Sequence, residues 1–148
     1  MNETHIIEPL IGDEAELIVE VSGEELYEAM ISDVKGLSDE IKRQALSAML
    51  HMHKYFEEEC GDLDVSLNSV QEIKNNTESW YVILDGSSSL DQRAVRFHYR
   101  ANWETSHGVE VIVLNGNKLI FVGNCGYVSS INNAISGADN ESNFMASA

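Results

Sequence analysis

Histidine and cysteine are the residues in this chain whose chemistry would identify an enzyme or a metalloprotein, and their spacing favours neither. His51 and His53 are two residues apart in a predicted helix, so they leave different faces and cannot form an i, i+4 metal-binding pair. Cys60 ends that helix, where the dipole disfavours a thiolate. Cys125 lies in a glycine-containing turn, and no histidine is tied to it by sequence. We predict no catalytic residue, no metal ligand and no cofactor.

The distribution of charge is more informative than these residues. The 148 residues carry a net charge of −16. Residues 1–64 contain 17 Asp and Glu against four Lys and Arg, whereas residues 65–148 contain eight against five. Nucleic-acid binding needs Lys and Arg to replace condensed counterions, and anionic membranes repel an acidic chain. We therefore expect neither a nucleic-acid nor a membrane partner. Solubility, a cationic partner and mimicry of a polyanion all remain open.

Five carboxylates cluster around the end of the second predicted helix. Glu57, Glu58 and Glu59 occupy its last turn, and Asp62 and Asp64 follow. The helix dipole is already negative there, so each exposed carboxylate costs roughly 0.3–1 kcal/mol at low salt. A solvated, salt-screened patch is the simpler interpretation. A basic partner would relieve the repulsion, and we predict these five residues as a partner-binding surface.

Two helices are predicted between residues 22 and 61. Ser22 and Glu25 form a capping-box pattern that predicts the first helix start, and Gly36 ends that helix. Ser38 begins the second helix almost at once, so we expect an antiparallel helix hairpin. The apolar stripe of the second helix includes Tyr55, which we assign to the core.

Strands are predicted on both sides of this helix hairpin. Glu14–Val21 alternates apolar and polar residues, as a strand at a sheet edge would, and Leu63–Ile73 is predicted as a second strand. Trp80–Leu84 is apolar on both sides, which predicts a central strand. Arg93–Gly123 reads as three antiparallel strands, with one turn at His107-Gly108.

Asn115-Gly116 marks the other turn of this three-strand segment. An Asn-Gly pair between two apolar runs is the strongest short-range hairpin signal, because both central residues of a type I′ turn need positive φ. The sequence therefore predicts a hairpin with a fixed register at this point.

Basic residues are concentrated on the polar face of the first of these three strands. Arg96, His98 and Arg100 alternate with apolar residues there, and Glu104 and His107 follow. The simple interpretation is that they neutralise nearby carboxylates or stabilise cross-strand pairs. We also predict the five residues as a possible secondary binding surface.

Residues 103–111, with the sequence WETSHGVEV, carry a family resemblance. The segment is similar to a group of small bacterial proteins in which a Trp-[Asp/Glu]-x-[Glu]-His-Gly turn is followed by an apolar strand. That group resembles immunity proteins of contact-dependent and polymorphic toxin systems. Ser106 stands where the pattern has an acidic residue, which argues against a carboxylate–histidine pair acting chemically. The resemblance implies no catalytic residues.

Together these observations predict an α+β domain over residues 1–128. An acidic helix hairpin packs on a mainly antiparallel sheet that ends in a meander, and residues 129–148 form a short helical turn and a flexible polar tail. No secretory signal or membrane span is predicted, so we expect a cytoplasmic protein of undetermined oligomeric state.

Three functions remain open at this stage. The first is an acidic binding protein that neutralises a basic protein partner, in particular an immunity protein that occludes a toxin nuclease. The second is a small enzyme or ligand-binding domain using the His107 turn and Cys125, which a concave pocket joining these residues would favour. The third is a structural subunit of a homo-oligomer.

Overall fold

A six-stranded sheet forms the centre of the protein, and its strands lie side by side in chain order. The computed structural model describes residues 3–60, 65–128, 130–137 and 143–145. The strands are β1 (His5–Ile7), β2 (Glu14–Val19), β3 (Thr77–Leu84), β4 (Ala94–Ala101), β5 (Glu104–Leu114) and β6 (Lys118–Asn124). Only β2 and β3 pair in parallel, and the other four neighbouring pairs are antiparallel.

Helices cover both faces of the sheet unequally. The helices are α1 (Glu24–Lys35), α2 (Asp39–Cys60), α3 (Val70–Asn75) and α4 (Ile131–Ser136). The first three share one hydrophobic core with the inward side chains of the sheet, and α4 packs on a second, smaller cluster around Ile112 and Phe121. We call the side that carries Arg96, His98 and Arg100 the open face. The predicted α+β class is confirmed, and no helix within the described ranges is long and apolar enough to cross a membrane.

The position of β2 differs from the prediction of an edge strand. β1 pairs outside it, with His5 opposite Glu16, and β3 pairs on its other side. A parallel pair needs a long crossover, and α1, α2 and α3 together supply it. The short β1 is therefore the edge, and the charged residues of β2 lie on the open face.

The meander of β4, β5 and β6 contributes large apolar side chains to the core. Phe97 lies opposite Val111, which lies opposite Val122, so one row of apolar side chains crosses all three strands. Each of these residues is at most 1% exposed. The predicted hairpin is confirmed, since Asn115 and Gly116 have φ values of 53° and 72°.

The predicted turn at His107-Gly108 is wrong. The chain turns earlier, at Asn102 and Trp103, and residues 107 and 108 lie inside β5. Trp103 is buried in this turn, and its indole N–H donates to Thr77 Oγ1 at 3.0 Å. Gly108 has a φ of +76° because it belongs to a bulge.

The strand predicted over Leu63–Ile73 is also wrong where the structure describes it. Residues 65–69 are outside any strand, and α3 begins at Val70. Ser69 caps that helix by accepting a hydrogen bond from the backbone N–H of Glu72 at 3.1 Å. Leu63 and Asp64 lie outside the described residues.

The start of α1 differs by one residue from the predicted capping box. Gly23, with a φ of 95°, is the N-cap, and no side chain caps the helix. Gly36 follows the last residue of α1 as predicted.

The C-terminal segment contains the predicted short helix and an attachment to β6. Ser130 caps α4. Further on, the backbone N–H of Phe144 donates to Val122 O at 2.8 Å, and the Asn143 side chain accepts from Val122 N at 3.1 Å. Residues 143–145 therefore cover part of the outer edge of β6.

Candidate functional site

A bulge in β3 brings an extra aromatic residue to the open face. Ser79 and Tyr81 pair with the consecutive residues Tyr99 and His98 of β4, which leaves Trp80 unpaired between them. A bulge of this kind redirects a side chain relative to the regular alternation of a strand.

A second, wider bulge lies on the other side of β4. The register of β4 against β5 changes between Tyr99 and Ala101, so four residues of β5, 105–108, lie opposite the single residue Arg100. The strand β5 therefore departs from regular pairing opposite Arg100, and β3 does so nearby, opposite Tyr99 and His98. Bulges are common next to functional sites for this reason.

Arg100 is exposed and stacks on the aromatic ring of the first bulge. Its guanidinium carbon lies 4.3 Å from the centroid of the Trp80 ring, within the range of a cation–π interaction. Its guanidinium has no hydrogen bond or ion pair with any residue that the structure describes. Stacking orders the side chain and leaves the N–H groups at the guanidinium edge available to an acceptor.

These residues line a cleft of about 650 Å³ at the end of the sheet where β3 and β5 begin and β4 ends. This volume lies within the range of small-molecule sites. Most of its lining residues have polar side chains, and the lining includes Asn75, Asn76, Glu78, Trp80, Arg100, Asn102, Glu104, Thr105 and His107. Two carboxylates, one guanidinium and one imidazole thus face the same space.

Gly108 is required where the cleft meets the core. A Cβ at this position would lie 2.9 Å from the carbonyl oxygen of Tyr99, and the backbone φ is +76°. Any side chain would therefore both clash and strain the backbone.

Glu104 and His107 are joined across the wide bulge. The Glu104 side chain accepts a hydrogen bond from the backbone N–H of His107 at 3.1 Å, and its Oε1 lies 3.8 Å from the imidazole Nδ1. The His107 ring is 59% exposed, whereas Glu104 is mostly covered. Glu104 thus holds the bulge in shape while His107 faces the cleft.

Arg96 and His98, the other members of the predicted secondary surface, belong to a separate cluster. The Nε2 atom of His98 lies 2.5 Å from Glu110 Oε2, and Arg96 Nε lies 3.5 Å from the same oxygen. Glu110 is almost fully buried, so the Arg96 guanidinium and the His98 ring are both engaged by a buried carboxylate. The five predicted residues therefore divide into a pair beside Glu110 and a cleft group, Arg100, Glu104 and His107.

Cys125 is a poor nucleophile in this structure. Burial and the nearby Glu110 carboxylate raise the pKa of its thiol to about 12, which keeps it protonated at neutral pH. It is a free cysteine and is not among the residues lining the cleft. The cleft therefore contains His107 without Cys125. Among the described residues, no group of three His, Cys, Asp or Glu side chains could hold a metal ion.

The end of α2 carries the predicted partner-binding carboxylates in two different environments. Glu57 is half-buried, and hydrogen bonds from Ser66 and Lys54 hold its pKa below the usual range. Glu58 and Glu59 are exposed. Asp62 and Asp64 lie outside the described residues. Of the five predicted carboxylates, Glu58 and Glu59 are thus the two that the structure shows exposed.

Tyr55 lies beside these two glutamates and was wrongly assigned to the core. It is 44% exposed, and its ring centroid lies 5.4 Å from both Phe56 and Phe144. Residues three and four positions apart share a helix face, so Tyr55 stands next to Glu58 and Glu59. We call these three residues the acidic–aromatic surface.

The fold and these surfaces define an α+β domain with a polar cleft at one end of its sheet and an acidic helix end. The chain belongs to the family described as a domain of unknown function, DUF6985, whose profile matches residues 2–129. Neither a curated protein nor a solved structure matches the chain.

Proposed function

We propose that this protein is a cytoplasmic acidic binding protein that neutralises a basic protein partner. We further propose that the partner is a toxin nuclease and that this chain is its immunity protein. The mechanism is occlusion: exposed carboxylates meet the Lys and Arg side chains with which the partner would otherwise hold phosphate. The toxin part of the proposal depends on the resemblance of residues 103–111 to immunity proteins.

The balance of exposed charge is the observation that supports this function best. Among the described residues, fifteen Asp and Glu are exposed against four Lys and Arg. Of the five half-buried Lys and Arg, three pair with carboxylates that are themselves partly or fully buried: Arg93 with Asp33, Arg96 with Glu110, and Lys54 with Glu57. Because these basic groups are turned to internal carboxylates, the outward field is strongly negative. Such a field accelerates the approach of a cationic protein.

The acidic–aromatic surface adds an aromatic side chain that can contribute binding energy, which exposed charge alone does little to provide. Exposed carboxylates change association rates more than affinity, whereas aromatic side chains often dominate binding energy. Tyr55 is held by Phe56 and Phe144, so little side-chain entropy remains to be lost on binding. We therefore place the centre of the interface on Tyr55, with Glu58 and Glu59 steering the partner.

Affinity capture from the native host tests this proposal. The tagged full-length chain is the bait, and the charge variant is Glu58→Gln with Glu59→Gln. We expect a basic protein to be captured by the wild type and lost or strongly reduced with this variant. Tyr55→Ala should lower the amount retained after washing, because an aromatic contact acts mainly on dissociation.

The matched control removes the same amount of negative charge from the open face. Glu14→Gln with Glu16→Gln removes two exposed carboxylates of β2 and leaves α2 unchanged. Capture by this control should be close to that of the wild type. A captured partner without a basic surface, or equal loss in both double variants, would contradict the assigned interface. Co-expression with the captured partner then tests neutralisation, since a nuclease should remain toxic unless the wild-type chain is present.

A further inference from the structure

We propose that the cleft beside Arg100 binds a free α-amino acid, with the ligand carboxylate on Arg100 and the ligand ammonium on Glu78. This site is separate from the acidic–aromatic surface and does not depend on it.

The arrangement of Arg100 and Glu78 supports the two contacts. They are directly opposite each other on the antiparallel strands β4 and β3. Such pairs have Cβ atoms about 4.5–5.5 Å apart. Neither side chain has a hydrogen bond or ion pair with another residue in the described part of the chain. The ammonium and carboxylate of an α-amino acid are attached to one carbon, so a single ligand reaches both groups.

The Arg100 guanidinium is prepared for a planar anion. Stacking on Trp80 fixes its plane, and the edge N–H groups match the two oxygens of a carboxylate. The β5 bulge lies opposite Arg100, which removes the regular cross-strand packing that would otherwise cover it on that side. The Arg100 side chain therefore loses less conformational entropy when the ligand binds.

Net charge favours a zwitterion over a simple anion. The chain carries −16, and the cleft contains Glu78 and Glu104 beside its single guanidinium. A monoanion such as acetate would be repelled by this field and would leave Glu78 without a partner. A zwitterion has no net charge and satisfies both groups. The amides of Asn75 and Asn102 and the His107 ring also line the cleft and can contact the ligand side chain.

Titration of the ¹⁵N-labelled full chain by NMR tests this inference. The probes are each standard amino acid in turn, then acetate, methylamine and glycylglycine. We expect at least one amino acid to shift the Trp80 indole signal saturably. The dipeptide, whose charges are further apart, should bind more weakly, as should the two fragments with one charge.

Variants then locate the site. Arg100→Gln and Glu78→Gln should each weaken binding by about tenfold, because each removes one charge-assisted contact. Lys118→Gln, an exposed cation at the start of β6, is the matched control and should bind like the wild type. Two variants on different strands keep the test valid if one misfolds. Three outcomes would overturn the inference: no saturable shift at Trp80 with any amino acid, acetate or glycylglycine binding as tightly as the amino acid, or unchanged affinity in Arg100→Gln and Glu78→Gln.

Discussion

At the residue scale, Glu8 is a buried carboxylate that five hydrogen-bond donors surround. It is 1% exposed and accepts hydrogen bonds from the backbone N–H groups of Leu10, Ile11 and Gly12 at 2.8–3.1 Å. Two hydroxyl groups, from side chains of β3 and β4, also donate to it, at 2.7 and 2.8 Å. These five donors replace its lost hydration, and they tie the loop after β1 to two central strands.

Replacing Glu8 by Gln should destabilise the fold by about 2–4 kcal/mol. The amide keeps one acceptor oxygen and turns an NH₂ group towards buried donors, each of which costs roughly 1–3 kcal/mol when left unsatisfied. Urea unfolding measures the change. Glu16→Gln, at an exposed position of β2, is the control and should stay within about 0.5 kcal/mol of the wild type. Equal midpoints for the two variants would show that Glu8 has no such role.

His53 should make stability fall as the medium becomes acidic. Its ring is fully buried and accepts a hydrogen bond from the backbone N–H of Leu67 at 2.9 Å, and burial lowers the pKa of the imidazole despite Glu57 nearby. The unfolded chain therefore binds a proton below pH of about 6.5 that the folded chain does not. The stabilisation that neutral His53 contributes is fully present above that pH. It is lost as the pH falls below that value and through the lowered pKa of the folded state.

The measurement is the free energy of unfolding of the wild type and His53→Gln across pH 7.5 to 5. Those values bracket the ordinary histidine pKa of about 6.5. The wild type should lose more stability on acidification than His53→Gln, whereas His51→Gln, at an exposed position of the same helix, should follow the wild type. Parallel pH profiles for all three proteins would refute the assignment.

Two residues show the limit of sequence reasoning at this scale. The helical period places Tyr55 on the apolar stripe of α2, but its side chain is 44% exposed. Trp80 belongs to an apolar run, and only the β3 bulge turns it to the open face beside Arg100. Bulges depend on pairing between distant strands, and a single sequence carries little signal for them.

At the element scale, an ion pair attaches α1 to the start of β4. Arg93 donates to both carboxylate oxygens of Asp33, at 2.8 and 3.2 Å, and the two side chains are 21% and 11% exposed. The hairpin between β5 and β6 reaches the same point, because a Cβ on Gly116 would lie 2.6 Å from Asp33 Oδ1.

A double-mutant cycle measures this attachment. Gly116→Ala should cost more than the roughly 1 kcal/mol of a positive-φ substitution, because the new methyl group also displaces Asp33. Asp33→Ala should cost roughly 2 kcal/mol, since it leaves Arg93 partly buried without its partner. The double variant should be less destabilised than the sum, because Asp33→Ala removes the carboxylate oxygen that the new methyl group meets most closely. Strict additivity in urea unfolding would contradict the geometry.

Element types follow from the sequence where the signals are local. The Asn115-Gly116 hairpin, the two long helices and the meander were predicted because turn chemistry and periodicity act over a few residues. The helix α3 has a local signal as well, because Ser69 and Glu72 have the spacing of a capping box. The alternation of apolar residues before it favours a strand and conflicts with that signal. The parallel pairing of β2 with β3 had no local signal, since more than fifty residues separate them.

At the scale of the whole molecule, charged groups of both signs lie on both sides of the sheet. The helical side carries the acidic end of α2, and the open face carries Arg96 and His98 close to Glu110 and Arg100 stacked on Trp80. The acidity of residues 1–64 was evident from sequence, but which carboxylates are exposed was not. Glu57 is engaged by Lys54, whereas Glu58 and Glu59 face solvent.

The association rate of the captured partner, measured by stopped flow across a range of salt concentrations, tests the central claim most directly. Electrostatic steering predicts a rate that falls steeply as salt rises, since the Debye length shortens to about 10 Å at 0.1 M. Glu58→Gln with Glu59→Gln should slow association at low salt and flatten this dependence, whereas Glu14→Gln with Glu16→Gln should change both less. A rate that does not depend on salt, or one that the α2 variant leaves unchanged, would contradict the proposal that this acidic surface neutralises a basic partner.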